Sequence, residues 1–342
     1  EGDETLTGSH YRSIKAKETL HAAVKAAGYD APKPKHVGRG VAMGYRGPGG
    51  GNTAMQISLN ADGSMVIHTG LFEQGTGTYT TLRQITAEEL HCDPETIRID
   101  TLDTDLGASF DSGIGGSRGT RVASGAAFTA ACDAREKLFA LAENLLGWAK
   151  ADIALDGELL VNKKSKQRRR WCELLLSVGR SIVGEAVNKD EEHSPVTAFA
   201  AQVAEVSVDP DTGEVRLRKL TTAHDTGVIM NPVGHQGQIE GGVVQGVGYG
   251  LIEYLPVQDG RVEVAHFGEY KIPNVKDIPA LRTVIVESDS GVGPYKVKGI
   301  GENPISPVAP AIANAIEDAV GVRIRDLPIT AEKVYAALRL KQ

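Results

Sequence analysis

The sequence predicts an α+β fold arranged in two lobes. Segments typical of β-hairpins are mixed with helical segments, without the regular strand–helix alternation of a doubly wound sheet. The chain has 342 residues, enough for two lobes at roughly 150 residues per domain. Its 40 glycines, well above the usual share of about 7%, lie in clusters. Clustered glycine indicates backbone that approaches another group closely.

Composition and charge exclude several classes of protein. The formal net charge is −7, so a nucleic-acid-binding role has no electrostatic support. One basic run, from Lys163 to Arg170, is expected to be a solvated loop and receives no function. No apolar stretch approaches the roughly 20 residues of a membrane span. Three of the first four residues are acidic where a secretory signal is basic, so we expect a cytoplasmic protein.

Cysteine and histidine usage argues against a metal held by side chains. The three cysteines, Cys92, Cys132 and Cys172, are scattered and form no CxxC pair. We therefore expect no disulfide framework, zinc site or iron–sulfur cluster held by this chain alone. No group of His, Cys and carboxylate residues has metal-ligand spacing. A metal in this protein would have to be carried by something other than its side chains.

The N-terminal part is expected to comprise a helical lead-in, residues 1–35, and a first α+β lobe, residues 36–194. Apolar spacing over residues 11–28 predicts an amphipathic helix closed by Gly28. The lobe opens with a hairpin whose turn spans residues 60–63. The elements expected after it are a helix at 78–90, a strand at 96–102 and a long alanine-rich helix at 121–146.

A second α+β lobe is expected over residues 195–342. A hairpin spans the turn at residues 209–213, and a further strand pair flanks Asp259 and Gly260. The expected helices are a glycine-dense one at 232–254 and one at 307–320 that ends at Gly321.

Two glycine-rich loops precede predicted helices and could bind phosphate. Loop one spans residues 72–77 and loop two spans residues 111–120. Backbone N–H groups and the helix dipole at a helix N-terminus favour an anion, and Arg118 in loop two could fork onto phosphate oxygens. Loop one lacks the third glycine of a dinucleotide fingerprint, and loop two lacks the ending of a P-loop. Either loop alone could be an ordinary turn, but the two together predict an extended phosphate-bearing cofactor.

The glycine-dense helix is expected to pack against something flat or close. Each helical glycine costs roughly 1 kcal/mol, a cost that is explained if another backbone or a ligand approaches that face. Gln238 and Gln245 are seven residues apart and share a face, and a buried amide needs a hydrogen-bond partner. The alternative is a tight contact between two helices, with the glutamines satisfied inside the protein.

Glu302 is the candidate for acid–base chemistry. It lies between a Gly-x-Gly turn and Pro304, with an apolar helix directly after it. Glycine allows unusual backbone angles, proline fixes the exit, and the helix anchors the carboxylate on a rigid element. The alternative is a surface glutamate in a loop that starts a helix.

These motifs occur together in a recognisable order. In sequence they are Gln74-Gly-Thr-Gly77, Gly115-Gly-Ser-Arg-Gly-Thr120, Asp225-Thr-Gly227, Gly237-Gln-Ile-Glu-Gly-Gly-Val-Val-Gln-Gly246, Tyr270-Lys-Ile-Pro273 and Lys298-Gly-Ile-Gly-Glu-Asn-Pro304. From about residue 36 to 335 the chain resembles the molybdenum-cofactor-binding subunit of the xanthine oxidase, aldehyde oxidase and carbon monoxide dehydrogenase family, over the C-terminal half only.

The resemblance implies a two-lobed molybdopterin-binding domain of a molybdenum-dependent oxidoreductase. Such an enzyme hydroxylates an aldehyde or an N-heterocycle with water as oxygen donor, and its cofactor sulfurs hold the metal. The serine–arginine pattern of loop two is similar to members that use the cytosine dinucleotide form. Glu302 matches the family's base toward a molybdenum-bound hydroxyl. The residues that match cofactor contacts are Gln74, Gly75, Gly115, Gly116, Ser117, Arg118, Thr120 and Gln238.

The resemblance also implies partners. Iron–sulfur and FAD subunits would carry [2Fe-2S] clusters and FAD, and a second molybdopterin-binding chain or an N-terminal half would complete the site for a small-molecule substrate. Two features depart from the family: Asn303 stands where many relatives have proline, and the N-terminal half is missing. The rival interpretation is a non-catalytic cofactor-binding or assembly module that lacks activity without a second molybdopterin chain.

Overall fold

A computed structural model describes residues 2–5, 8, 10–11, 13–47, 49–101, 111–190 and 198–341. The helices are α1 (Ala16–Ala27), α2 (Thr78–Leu90), α3 (Gly119–Leu146), α4 (Trp171–Val178), α5 (Pro232–Val247), α6 (Val308–Val320) and α7 (Ala331–Lys341). The strands are β1 (Val37–Arg46), β2 (Gly51–Leu59), β3 (Met65–Thr69), β4 (Ile97–Thr101), β5 (Ile153–Asp156), β6 (Leu159–Asn162), β7 (Arg168–Arg170), β8 (Ile182–Asp190), β9 (Ala198–Val208), β10 (Val215–Gly227), β11 (Val257–Gln258), β12 (Arg261–Val262) and β13 (Ala280–Glu287).

The chain divides into two compact units that are each discontinuous in sequence. Unit 1 comprises Glu1–Gly47, Pro195–Ser290 and Ile300–Gln342, and unit 2 comprises Pro48–Ser194 and Gly291–Gly299. The sequence predicted that the first lobe spans residues 36–194, whereas the observed unit 2 begins at Pro48. Residues 37–46 belong to unit 1 because β1 pairs antiparallel with β9 along its whole length.

Unit 1 is built on a four-stranded sheet in the order β1-β9-β10-β13. The first three strands are antiparallel, and β13 runs parallel to β10. Helix α6 lies directly against β1 because Gly38 and Gly40 have no side chain; a Cβ on Gly40 would fall 2.1 Å from the carbonyl oxygen of Ala311. A separate small core contains Ala23 of α1 together with Ala201 and Ala223 of the sheet.

Unit 2 has a four-stranded sheet in the order β4-β3-β2-β8 and a three-stranded sheet in the order β5-β6-β7. Strands β2 and β3 form the antiparallel hairpin predicted from the sequence, and β4 runs parallel to β3. The alanines of α3 let this helix approach β8, where a Cβ on Gly184 would fall 2.1 Å from the carbonyl oxygen of Ala130. Both units therefore mix hairpins with helices, which confirms the α+β class.

Most of the predicted elements are confirmed, but α5, predicted to reach residue 254, ends at Val247 and is followed by a π-helical turn at Gly248–Ile252. Helix α1 begins at Ala16 and ends at Gly28 in the left-handed conformation. The hairpin of β9 and β10 and the short pair β11–β12 form as expected. The strand predicted to reach residue 102 ends at Thr101, and Leu102 lies outside the described residues.

The basic run is only partly the solvated loop that was expected. Its last three residues, Arg168–Arg170, form β7 and pair with β6. Their side chains are exposed, and Arg168 and Arg170 form ion pairs with Asp156 and Glu158. The prediction of a loop was wrong here because the backbone of these residues pairs with β6. Their charged side chains remain exposed, so they do not interfere with strand formation. In the described part of the chain, no helix has the length and apolar character needed to cross a bilayer.

Candidate functional site

Loop one leads into α2 in unit 2. The carboxylate of Glu73 folds back over the start of this helix and accepts hydrogen bonds from the backbone N–H groups of Gly75 (2.7 Å), Thr76 (2.6 Å) and Tyr79 (3.0 Å). Partial burial opposes ionisation of Glu73, but the hydrogen bonds from Tyr79, Thr76 and Gly75 outweigh it and lower the pKa of its carboxyl group. Glu73 is therefore the anion at this helix start.

This geometry corrects the expectation for loop one. The sequence predicted that a bound phosphate would accept from these N–H groups, but the side chain of Glu73, at the start of the loop, already does so. Gln74 and Gly75 are exposed to solvent next to the start of α2. Gly75 has a φ of +95° and open space where a Cβ would stand. Contact of these two residues with a cofactor stays a prediction.

Loop two is organised around a buried arginine. Arg118 is 2% exposed, and its guanidinium donates to Asp111 Oδ1 at 3.0 Å, to the carbonyl oxygens of Gly113 and Asn52, and to Thr53 Oγ1 at 2.9 Å. These bonds use both terminal nitrogens of the fork. Its Nε is the one guanidinium nitrogen without a hydrogen-bond partner among the described residues. Arg118 therefore ties the loop to β2, and its direct contact with a phosphate stays a prediction that the observed hydrogen bonds do not favour.

Asp111 completes this arrangement. Its carboxylate also accepts from Thr53 Oγ1 at 2.6 Å and from the backbone N–H of Gly113 at 2.6 Å. The side chains of Arg118 and Asp111 are 3% and 2% exposed, so they form a buried ion pair. Sequence reasoning missed Asp111 as a structural partner, although its place seven residues before Arg118 was visible.

The backbone of loop two presents its glycines at the start of α3. Gly115 has open space where a Cβ would stand, and Gly116, with a φ of +78°, accepts from the N–H of Gly49 at 2.7 Å. Ser117 adopts the left-handed conformation with a φ of +59°. A Cβ on Gly299 would fall 2.1 Å from the carbonyl oxygen of Ser117, so close packing requires glycine at position 299. Thr120 follows in the first turn of α3.

Helix α5 in unit 1 has two different glycine faces. On the packed face, a Cβ on Gly242 would meet Pro304 at 2.9 Å, and one on Gly246 would meet Val308 at 2.5 Å. On the other face, a Cβ on Gly237 or Gly241 would have no described atom within 4 Å outside its own helix backbone. The alternative expectation of tight packing against a helix is therefore correct for the face that carries Gly242 and Gly246. Of the two glutamines, Gln238 is half-buried and Gln245 is exposed.

The two glycine faces predict opposite effects of added methyl groups. Gly246→Ala should destabilise the protein by about 1–3 kcal/mol because the new Cβ overlaps Val308. Gly241→Ala should stabilise it, by at most about 1 kcal/mol, since alanine is the better helix former and the space is open. Denaturant unfolding of both variants measures the difference. Equal effects would contradict the assignment of the faces.

Glu302 lies in the loop before α6, also in unit 1. Its carboxylate Oε2 accepts from Arg46 Nε at 2.9 Å, and the side chains of Arg46 and Glu302 are 51% and 42% exposed. Arg46 ends β1, 256 positions away in sequence. The sequence did not identify Arg46 as a partner of Glu302, because the two residues are far apart along the chain.

Buried amides hold the backbone on the C-terminal side of Glu302. Asn303 is 1% exposed and donates from Nδ2 to the carbonyl oxygen of Ala198 at 2.6 Å. Gln202 donates from Nε2 to the carbonyl oxygen of Pro304 at 2.7 Å and to Thr222 Oγ1 at 3.2 Å. Asn303, which departs from the family pattern, is therefore a structural hydrogen-bond donor here.

Behind these amides, the Thr222 hydroxyl lies 2.6 Å from His224 Nε2. Complete burial, together with the charge of His235, lowers the pKa of His224 to about 3. The ring is therefore neutral near pH 7. His224 is therefore a buried, neutral partner of Thr222 behind the Glu302 loop.

The predicted site residues are divided between the units. Unit 2 holds Gln74, Gly75 and the residues of loop two, and unit 1 holds Gln238 and Glu302. In the described part of the chain, no group of three or more His, Cys, Asp or Glu side chains could hold a metal ion.

Residues 14–279 match the family model of the molybdopterin cofactor-binding domain. The chain belongs to this family. It is 34% identical over 337 residues to the probable hypoxanthine oxidase XdhD of Escherichia coli K12, covering 95% of this chain and 35% of XdhD. It is 33% identical over 297 residues to the nicotine 6-hydroxylase large subunit of Paenarthrobacter nicotinovorans, covering 83% of this chain and 36% of that subunit. The resemblance to molybdenum-binding subunits of the xanthine dehydrogenase family is confirmed.

Solved structures give the same fold for this molybdopterin cofactor-binding domain. Quinoline 2-oxidoreductase from Pseudomonas putida 86 matches with a TM-score of 0.85 at 23% identity, over 99% of this chain and 47% of that one. The aldehyde oxidoreductase of Desulfovibrio gigas matches with a TM-score of 0.72 at 26% identity, over 99% of this chain and 37% of that one. The chain thus spans less than half the length of these relatives.

Proposed function

We propose that this chain forms the C-terminal, cofactor-binding half of the catalytic subunit of a molybdenum hydroxylase, with Glu302 as the base. The observation that carries the proposal is the Glu302 loop. Its carboxylate is 42% exposed and ion-paired with Arg46, while buried amides hold the adjacent backbone at Asn303 and Pro304. A general base needs this combination of access and fixed position.

The residues of the chain fit a molybdopterin cofactor. Gly115, Gly237 and Gly241 leave open space where side chains would stand, so a flat ring or a phosphate can approach their backbone. Gln74 and Gln238 offer amide donors and acceptors. A metal held by the sulfurs of the cofactor would need no cluster of protein ligands.

The chain's own residues would hold and orient the reacting groups. When bound, the cofactor supplies the redox chemistry of hydroxylation, with water as oxygen donor. Glu302 accepts the proton released in that reaction. Arg46 donates a hydrogen bond to Glu302 Oε2 and thereby fixes the orientation of the carboxylate. Gln202 and Asn303 keep the loop from moving away, since each donates to a main-chain carbonyl.

The names of the relatives support the proposed substrate class. These include a hypoxanthine oxidase, a nicotine 6-hydroxylase and an aldehyde oxidoreductase subunit. We propose an N-heterocycle or an aldehyde as substrate, a cytosine dinucleotide form of the cofactor, and partner subunits with [2Fe-2S] and FAD. The rival is a non-catalytic cofactor-binding or assembly module that lacks activity without a second molybdopterin chain.

Molybdenum content and nucleotide release test the proposal. The protein is purified natively with the chains that accompany it, molybdenum is measured by elemental analysis, and nucleotides are released by acid hydrolysis. Near-stoichiometric molybdenum with CMP, together with a second large chain or a longer form of this one, would support the split hydroxylase. Absence of the metal with partners still bound would favour the assembly module.

A further inference from the structure

Three buried polar side chains lie next to one another on the sheet of unit 1. Gln202 of β9 is directly opposite Thr222 of β10, and His224 follows Thr222 by two positions, so Thr222 and His224 share one face of the sheet. All three residues are at most 1% exposed. Leu220, on the same face, belongs to a core shared with α5 and α6. Polar groups in such surroundings need hydrogen-bond partners, because an unpaired one costs free energy.

The carbonyl oxygen of Pro304 sets the direction of the first two hydrogen bonds. A carbonyl can only accept, so the atom of Gln202 that faces it at 2.7 Å is the amide nitrogen Nε2. This nitrogen carries two hydrogens, and it donates the second to Thr222 Oγ1 at 3.2 Å. The Thr222 oxygen is therefore an acceptor from Gln202, and its own hydrogen must be donated to another group.

The ring of His224 is the group that can accept this hydrogen. Burial is the larger of two causes that lower the pKa of His224 to about 3, and a neutral imidazole has one donor and one acceptor nitrogen. Nε2 lies 2.6 Å from the Thr222 hydroxyl, while Nδ1 has no hydrogen-bond partner among the described residues.

The number of unpaired groups decides which of the two donates. If Nε2 carried the proton, the Thr222 hydrogen would have no acceptor among the described residues, and Nδ1 of His224 would be an unpaired acceptor as well. If Thr222 donates to Nε2, the N–H group at Nδ1 is the one that stays unpaired. Each unpaired buried group costs free energy, so the second arrangement is favoured.

We infer that Thr222 and His224 are positioning residues for Glu302, with His224 held as the tautomer that carries its proton on Nδ1. The inference rests on the proposed function in taking Glu302 as the base. Thr222 holds the amide of Gln202 in the orientation that donates to Pro304, two residues after Glu302. A displacement of about 1 Å at a catalytic group can lower turnover by about 10²-fold, so hydrogen bonds behind the loop affect proton transfer.

The tautomer of His224 tests the inference without a measurement of turnover. The protein is produced with ¹⁵N-labelled histidine, and long-range ¹H–¹⁵N correlation spectra show which ring nitrogen carries the proton. The His224 signals are identified by their absence from His224→Gln or by their shift in Thr222→Ser. A proton on Nδ1 is expected. A proton on Nε2 in the parent protein would overturn the inference.

Turnover of the native complex provides the second readout. Thr222→Val removes the hydroxyl group and should lower kcat by about tenfold or more, with KM little changed, after normalisation to molybdenum. Thr222→Ser keeps a hydroxyl group and should restore most of kcat. An unchanged kcat in Thr222→Val, or a rise in KM without a fall in kcat, would overturn the positioning role.

Thr221→Val is the matched control for Thr222→Val. Thr221 is also fully buried on β10, but it lies on the opposite face of the sheet. Its hydroxyl group has no hydrogen-bond partner among the described residues, so kcat should not change. Equal losses of kcat in the two variants would mean that removal of any buried hydroxyl from this strand has the same effect, and would overturn the inference.

Glu302→Gln separates this inference from the proposed function. Loss of turnover in Glu302→Gln, together with full turnover in Thr222→Val, rejects the positioning role alone. Retained turnover in Glu302→Gln rejects the base, and the positioning role with it, whichever tautomer His224 adopts.

Discussion

Glu302→Gln is expected to lower turnover by about 10²-fold or more while leaving the fold and the molybdenum content unchanged. Glutamine has the shape of glutamate, and its amide oxygen can still accept a hydrogen bond from Arg46. The loop is held at Asn303 and Pro304 by contacts that do not involve the Glu302 side chain. The substitution removes the capacity to accept a proton, together with the charge that pairs with Arg46. Turnover of the native complex on a panel of N-heterocycles and aldehydes, normalised to molybdenum, measures the effect.

Glu317→Gln is a matched control for this experiment. Glu317 is 43% exposed and forms an ion pair with Arg323 in the same unit, as Glu302 at 42% does with Arg46. Loss of an exposed ion pair has little effect on stability, and turnover should not change. Retention of roughly a tenth of the activity by Glu302→Gln would rule out the assignment of the base, because removal of a general base costs more than this.

Local elements of the fold could be predicted because their signals lie within a few residues. Gly28 and Gly321 adopt the left-handed conformation that ends α1 and α6, and glycine does so at little steric cost. The turn at residues 60–63 joins β2 and β3 into the expected hairpin. Such signals report backbone preferences, which neighbouring residues determine.

The composition of the units could not be predicted because it depends on distant pairings. Strand β1 pairs with β9 from Val37 opposite Ser207 to Arg46 opposite Ala198. Nothing near β1 in sequence indicates which strand it will join. The ion pair of Arg46 with Glu302 follows from this pairing and from the position of α6 against β1, so it was equally invisible.

The two loops show a different limit of sequence reasoning. A glycine-rich loop before a helix predicts N–H donors and, in loop two, a guanidinium, but it does not show whether their acceptor is a ligand or the protein. In loop one the acceptor is Glu73, and in loop two the charged acceptor of Arg118 is Asp111. Both carboxylates were present in the sequence within seven positions of their donors. An acidic residue that close is a competing partner for any proposed anion site.

Arg118→Ala is expected to destabilise the protein by about 3–5 kcal/mol, because it leaves the buried carboxylate of Asp111 without its cation. It also removes the donors to Gly113, Asn52 and Thr53, so loop two should lose its shape and the molybdenum content should fall. Denaturant unfolding and elemental analysis of the same preparation measure both effects. Arg170→Ala, which breaks the exposed pair with Glu158, is the control and should change neither quantity measurably.

A second substitution distinguishes between two roles of Arg118, the shaping of loop two and direct contact with the cofactor. Adding Asp111→Asn to Arg118→Ala removes the uncompensated charge, and the double variant should recover part of the lost stability. Recovery of stability with partial recovery of molybdenum would mean that Arg118 acts by shaping loop two. If the single variant were as stable as the parent protein but held no molybdenum, the ion pair would be energetically unimportant. Arg118 would then act by direct contact with the cofactor.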